Sequence, residues 1–167
     1  FDSTSVEYLD SKNWKLEIKD LKIGVPKEYF VEGINPEIEK VIKEAIKKYE
    51  EAGFKIEEVS LPHTDYALSA YYIINPSEAS ANLARYDGIK YGYSDKTAKD
   101  LMEVYLKTKG KGFGAEVRRR IMLGTYSLSS GYYEAYYLRA QKMRTQVISD
   151  FDKVFQRVDV LITPVSP

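Results

Sequence analysis

Apolar and polar positions alternate in two short stretches of the chain, and a helical pattern lies between them. Residues 21–25 alternate with a period of two, which predicts a short strand, and Phe54 and Ile56 begin a second short strand that ends near Leu61. From Pro36 to Ala52, apolar residues recur every third or fourth position, as on one face of a helix. Asn35 is a typical N-cap, and Gly53 stands where a left-handed residue ends a helix. A strand, a helix and a strand in about 40 residues predict a βαβ unit with parallel strands.

The following hundred or so residues are expected to be helical almost throughout. Helical periodicity is found in the segments 65–86, 97–107, 116–123 and 130–155, and an apolar strand is predicted at 158–162. Asn75-Pro76 is expected to break or kink the first helix, and Gly124 to interrupt the third. Glycines in residues 110–114 predict a flexible loop. The expected fold class is α/β, with the strands at 21–25 and 158–162 in one sheet and the helix from Pro36 to Ala52 packed across it.

Composition limits the possible functions of the chain. Its 167 residues include 25 basic and 25 acidic side chains, and this zero net charge argues against an autonomous nucleic-acid or membrane-surface binder. The chain has no cysteine and one histidine, His63, so neither a thiolate nor a histidine-based metal site is expected. No apolar run approaches the roughly 20 residues that span a bilayer. Because the sequence begins without methionine or a signal peptide, we expect a segment of a longer protein.

A run of three arginines is the main candidate for recognition of a charged ligand. Residues 118–120 follow one another on a predicted helix, where successive side chains diverge by about 100°, so only one of them can readily enter a given cleft. Arg120 lies four residues after Glu116, the spacing of a surface ion pair. The alternative is an arginine that binds a ligand carboxylate with two parallel hydrogen bonds. Of the 15 tyrosines, most are expected to pack helices together and one or two to line a cleft.

The sequence does not assemble a hydrolytic triad from its own residues. A nucleophilic serine needs a base within hydrogen-bond reach, and His63 has no G-x-S-x-G motif to serve. His63 is therefore expected to be a surface loop residue. The glycines in 110–114 lack the spacing of a phosphate-binding loop. We predict no catalytic residue and no metal site in this chain.

Several longer blocks of sequence, taken in order, carry a family resemblance. They are residues 2–5, 21–29, 71–72, 77–80, 82–88, 112–125, 128–133 and 151–155. Together they resemble the glutaminase (A) subunits of glutamyl-tRNA(Gln) amidotransferases, a group within the amidase signature family. The resemblance covers essentially the whole chain, and Asn75-Pro76 is a departure from the family pattern.

The resemblance implies a fold and a site. It implies the α/β/α layered fold of that family, with residues 1–167 forming one partial amidase domain. Tyr71 and Arg120 match the tyrosine and the arginine of the family's glutamine pocket, where the arginine binds the α-carboxylate. The lysine and two serines of the family's catalytic triad are expected upstream of Phe1, so that the chain alone would lack its nucleophile and be inactive.

The resemblance also implies partners for the parent protein. Glutamine would be hydrolysed through an acyl-enzyme, and the ammonia would pass to a partner B subunit that activates Glu-tRNA(Gln) with ATP and magnesium. A small C subunit would join the A and B subunits. In this chain itself we expect no cofactor, only indirect contact with Glu-tRNA(Gln), no membrane association and a cytoplasmic location. Two alternatives stay open at this point: a segment of a stand-alone amidase of the same family, and a non-catalytic interaction segment.

Overall fold

The computed structural model describes residues 21–90 and 92–165, and these form two compact units. The first unit contains the described residues up to Ser60 and from Asp152 onward, and the second is Leu61–Phe151. The block at residues 2–5 that contributes to the family resemblance lies outside the described residues. The assignment of 1–167 to one partial amidase domain stays a prediction.

The first unit is built on a parallel sheet with the strand order β2-β1-β3. Its strands are β1 (Lys22–Pro26), β2 (Lys55–Val59) and β3 (Val160–Leu161). In the central strand, Ile23 pairs with Ile56 on one side and with Val160 on the other. The prediction that the first and last strands share one sheet is therefore confirmed, as is the α/β class.

Helix α1 (Pro36–Glu51) links β1 to β2, after a short 3₁₀ turn at Lys27–Tyr29. The side-chain oxygen of Asn35 accepts a hydrogen bond from the Glu37 N–H at 2.9 Å, so the predicted N-cap is confirmed. Proline follows at the first helical position, where its missing N–H costs no hydrogen bond. The helix contacts β2, as its apolar stripe predicted.

The end of α1 is set by Gly53, whose φ of +95° is a conformation that favours glycine. The Gly53 N–H donates to the Glu50 carbonyl at 3.0 Å, and the Phe54 N–H donates to the Tyr49 carbonyl at 3.1 Å. These two bonds make a Schellman motif. The Tyr49 and Phe54 rings pack edge to face with their centroids 5.4 Å apart, which adds the apolar contact that often accompanies this cap.

The second unit is helical. Its elements are α2 (Thr64–Leu83), α3 (Leu101–Gly112), α4 (Ala115–Leu128), a π-helical segment (Tyr133–Leu138) and α5 (Arg139–Val154), whose last residues belong to the first unit. Two predictions are wrong here: α4 is not interrupted at Gly124, and Gly110 and Gly112 lie in the last turns of α3 instead of a loop. Of the two outcomes predicted at Asn75-Pro76, the break does not occur, because α2 is continuous there. In the part of the chain that the structure describes, no helix is long and apolar enough to cross a membrane.

Pro76 and Gly124, in two unbroken helices, meet where α2 and α4 cross. A Cβ atom placed on Gly124 would lie 1.9 Å from the Pro76 carbonyl oxygen, so the two helix backbones are in direct contact there. Next to the proline, the buried Ser77 hydroxyl donates to the Ile73 carbonyl at 2.7 Å. Tertiary packing therefore overrides the low helix propensity of both residues.

The segment between α2 and α3 is organised around Asp95, whose side chain is 1% exposed. Its carboxylate pairs with Lys111 Nζ at 2.6 Å and accepts from the Thr97 N–H and hydroxyl at 2.8 and 2.6 Å. The hydrogen bond from Lys111 and those from Thr97 hold the pKa of Asp95 well below its usual range. No sequence pattern predicted this buried carboxylate.

The low pKa of Asp95 predicts a loss of stability in acid. A carboxyl whose pKa is lower in the folded state contributes stability above its unfolded pKa of about 3.9, and this is lost as the pH falls towards the folded pKa. We expect the melting temperature to fall between about pH 5 and pH 2, and Asp95→Asn to reduce that dependence. Thermal unfolding followed by circular dichroism at each pH measures it. Asp152→Asn, on an exposed carboxylate, is the control, and equal pH slopes for Asp95→Asn and the unmodified chain would contradict the prediction.

Candidate functional site

The structure brings Tyr71 and Arg120 together on neighbouring helices. Tyr71 lies on α2 shortly before Pro76, and Arg120 lies on α4 one turn before Gly124. The close crossing of the two helices therefore places both side chains on adjoining surfaces. The pKa of Arg120 is raised first by its hydrogen bond with Glu116 and second by one with Tyr71.

Arg120 also forms the ion pair that its spacing from Glu116 predicts. Its Nε donates to Glu116 Oε1 at 2.8 Å. Arg119 donates to the same carboxylate through Nε and Nη2, at 2.9 and 3.0 Å. These bonds, led by that from Arg120, lower the pKa of Glu116 below its usual range. Because Arg120 hydrogen-bonds to Glu116 through Nε, its Nη1 and Nη2 groups remain outside the ion pair.

Asn75 makes a second contact with Tyr71, one that sequence reasoning missed. The Asn75 side-chain amide donates to the Tyr71 phenol oxygen at 3.2 Å. The phenol oxygen of Tyr71 therefore accepts from Asn75, and its own O–H group can still donate. The sequence did carry a signal, because Asn75 lies at the point where the chain departs from the family pattern.

A pocket with a volume of about 280 Å³ opens beside Tyr71, between α2 and α5. Its lining is apolar at Ala67, Ala70, Ile74 and Val147, and polar at Tyr71, Asn75, Glu78 and Arg144. Glu78 and Arg144 approach each other to 3.7 Å across it. This volume lies just below the usual range of small-molecule sites, and Arg120 is not among the residues that line the pocket.

The three consecutive arginines diverge as helix geometry predicts. Arg118 lines a different groove of about 370 Å³, formed with the ends of α2 and α3, to which Tyr71 does not contribute. Arg119 is engaged with Glu116. Among these three guanidiniums, only that of Arg120 hydrogen-bonds to Tyr71 in the described structure.

Three further tyrosines pack against one another near the end of α4. The rings of Tyr126 and Tyr132 have their centroids 4.2 Å apart, and Tyr136 lies 6.1 to 6.3 Å from both. A hydrogen bond with Tyr132, together with burial, raises the pKa of Tyr126 to about 12. All three rings are partly exposed, in keeping with the expectation that most tyrosines serve packing while their hydroxyls reach the surface.

His63 does not behave as the surface loop residue that the sequence predicted. It is the N-cap residue of α2, and its side chain is only 33% exposed. Its ring Nδ1 lies 2.8 Å from the Asp150 carboxylate, and its backbone N–H donates to the same oxygen at 3.0 Å. Asp150 is buried, so the pair attaches the start of α2 to α5.

Comparison with known proteins gives one consistent result. The family model described as Amidase matches residues 1–167. One relative is the A subunit of the glutamyl-tRNA(Gln) amidotransferase of Carboxydothermus hydrogenoformans, which is 57% identical over 99% of this chain and 35% of its own length. The A subunit from Thermodesulfovibrio yellowstonii is 60% identical over 90% of this chain and 31% of its own length. The crystal structure of the corresponding A subunit from Thermotoga maritima aligns with a TM-score of 0.57 and 36% identity, over 88% of this chain and 27% of that chain. The chain thus spans about a third of the length of the curated relatives.

Proposed function

The chain belongs to the amidase family, and on this basis we propose that it is part of the glutaminase (A) subunit of a glutamyl-tRNA(Gln) amidotransferase. The whole subunit would hydrolyse glutamine and supply the ammonia that converts Glu-tRNA(Gln) to Gln-tRNA(Gln). The observation that carries the proposal is the meeting of Tyr71 and Arg120 at the α2–α4 crossing, in a chain 57% identical to a curated A subunit.

The role of this chain in that reaction is to bind and orient the substrate. Two terminal nitrogens of the Arg120 guanidinium lie outside its ion pair, and such a planar fork binds both oxygens of a carboxylate at once. The Tyr71 hydroxyl, whose oxygen already accepts from Asn75, is left to donate to a substrate oxygen. The α-carboxylate of glutamine would be held at this point, and its side-chain amide would be presented to a nucleophile.

The covalent chemistry is assigned to residues outside this chain. In amide hydrolysis a serine oxygen attacks the amide carbon, ammonia leaves, and water releases glutamate from the acyl-enzyme. The blocks that carry the family resemblance here do not include the lysine and the two serines of the family's triad. The ammonia would pass to a B subunit, which uses ATP and magnesium to activate Glu-tRNA(Gln), with a C subunit joining the complex in the cytoplasm.

We expect the isolated 167-residue chain to release no ammonia from glutamine. Loss of a catalytic nucleophile lowers turnover by about a thousandfold or more, on the order of magnitude known for serine hydrolases. A coupled ammonia assay on the chain measures this, and the full-length subunit is the positive control. Glutaminase activity of the chain that disappears on replacing Ser77 or Ser80 would contradict the prediction.

The same assay separates an amidotransferase component from a stand-alone amidase. If the proposal is correct, the glutaminase activity of the full-length subunit rises when the B subunit, ATP and Glu-tRNA(Gln) are added. A stand-alone amidase would hydrolyse amides at the same rate with and without these components. A chain that binds the B subunit but takes no part in glutamine binding would instead be an interaction segment.

A further inference from the structure

We propose that Glu116 is a positioning residue of the glutamine site: it holds Arg120 by Nε, so that the terminal nitrogens of the guanidinium face the substrate carboxylate beside Tyr71. This inference rests on the proposed function and assigns a role to a residue that the family resemblance did not single out. In the sequence, the pairing of Arg120 with Glu116 and the binding of a ligand by Arg120 were alternatives. The geometry makes them compatible.

The orientation of the ion pair is the first observation in support. Glu116 Oε1 accepts from Arg120 Nε at 2.8 Å. A guanidinium has five N–H donors, and four of them belong to the two terminal nitrogens. Because Glu116 takes the Nε donor, the terminal donors are left for a substrate carboxylate. Had Glu116 bound the terminal pair instead, its carboxylate would compete directly with that of the substrate.

The second observation is that Glu116 is itself held in place. Arg119 donates two hydrogen bonds to the Glu116 carboxylate, from Nε at 2.9 Å and from Nη2 at 3.0 Å. Two parallel bonds of this kind fix the orientation of a carboxylate as well as its position. The anchor of Arg120 is therefore a carboxylate with a defined geometry, on the same helix and one turn away.

If the Glu116–Arg120 pair only stabilised the fold, its removal would lower the free energy of unfolding. The solvent exposure of both side chains argues against a large contribution of this kind. The side chains of Glu116 and Arg120 are 52% and 39% exposed. Ion pairs this close to solvent contribute little to folding. Loss of the pair should therefore leave the unfolding temperature nearly unchanged and alter substrate binding, because an arginine without its anchor must be ordered when the substrate binds.

The experiment uses the full-length subunit in its complex and measures the KM and kcat for glutamine. Glu116→Ala is expected to raise KM about tenfold with kcat within about threefold, and with an unchanged unfolding temperature. Glu116→Gln keeps an oxygen that can accept from Nε and should recover part of the affinity. Glu51→Ala, which removes an exposed pair of the same i, i+4 spacing with Lys47 on α1, is the matched control and should leave KM unchanged.

The KM of the double variant distinguishes a positioning role of Glu116 from a merely structural one. If Glu116 acts through Arg120, Glu116→Ala combined with Arg120→Ala has the KM of Arg120→Ala alone. A raised KM for Arg120→Ala with an unchanged or lowered KM for Glu116→Ala would overturn the positioning role and leave the proposed function standing. If neither variant changed KM, the positioning role and the assignment of Arg120 to the glutamine pocket would both be wrong.

Discussion

Replacing Gly124 with alanine is expected to destabilise the helical unit by about 3 kcal/mol or more, the upper part of the range for overpacked sites. The added Cβ would lie 1.9 Å from the Pro76 carbonyl oxygen and 2.8 Å from the Ser77 nitrogen. Both are backbone atoms of a helix, which cannot rotate away as a flexible side chain does. The two helices would have to separate, and the surface between α2 and α4 would lose its packing.

Gly110→Ala is the matched control for this experiment. Gly110 is also a helical glycine, and a Cβ placed on it meets nothing within 4 Å. Alanine is favoured over glycine in helices by up to about 1 kcal/mol, so this variant should be as stable as the unmodified chain or slightly more so. Urea unfolding of the three proteins gives the comparison. An unfolding midpoint of Gly124→Ala equal to that of the unmodified chain would show that the helices are not in contact at this point.

The same crossing shows which parts of the fold a single sequence can predict. The caps of α1 depend on residues next to one another, Asn35-Pro36 at one end and Gly53-Phe54 at the other, and both were predicted correctly. The strands were found for a similar reason, because alternation is a local property. The parallel pairing of β1 and β2 needed only the rule that a strand–helix–strand unit is parallel.

Predictions failed where a residue's conformation is decided by a distant part of the chain. Pro76 and Gly124 each looked like a helix breaker, yet both lie in continuous helices whose backbones meet at these residues. No sequence pattern singled out Asp95, whose buried carboxylate pairs with Lys111 on α3. Such partners have no fixed spacing in sequence, so local patterns do not reveal them.

The residues of the candidate site came from the family resemblance, whereas their contacts could be described only from the structure. Family resemblance pointed to Tyr71 and Arg120, and the divergence of helical side chains separated Arg120 from Arg118. Two further contacts complete the arrangement. Asn75 on α2 donates to the Tyr71 oxygen, and the Nε of Arg120 donates to Glu116. Neither the direction of a hydrogen bond nor the edge of a guanidinium that makes it can be inferred from residue spacing alone.

Removal of the Arg120 guanidinium is expected to have the largest effect on substrate binding. In the full-length subunit, Arg120→Ala should raise the KM for glutamine about ten- to hundredfold, the usual loss for a charged hydrogen bond. Arg120→Lys should bind nearly as poorly, because an ammonium group cannot reproduce two parallel hydrogen bonds to a carboxylate. Steady-state glutaminase kinetics of each variant give KM and kcat separately.

Arg118→Ala is the control that tests whether position on the helix decides the effect. It removes the same charge two residues away, from a side chain that lines a groove to which Tyr71 does not contribute. A general loss of positive charge near the site would weaken binding similarly in both variants, whereas a direct contact with the carboxylate requires Arg120. We expect the KM of Arg118→Ala to stay within about twofold of the unmodified value, since a solvated surface charge contributes little. Equal, small effects at the two positions would leave Arg120 with no role beyond its surface pair with Glu116.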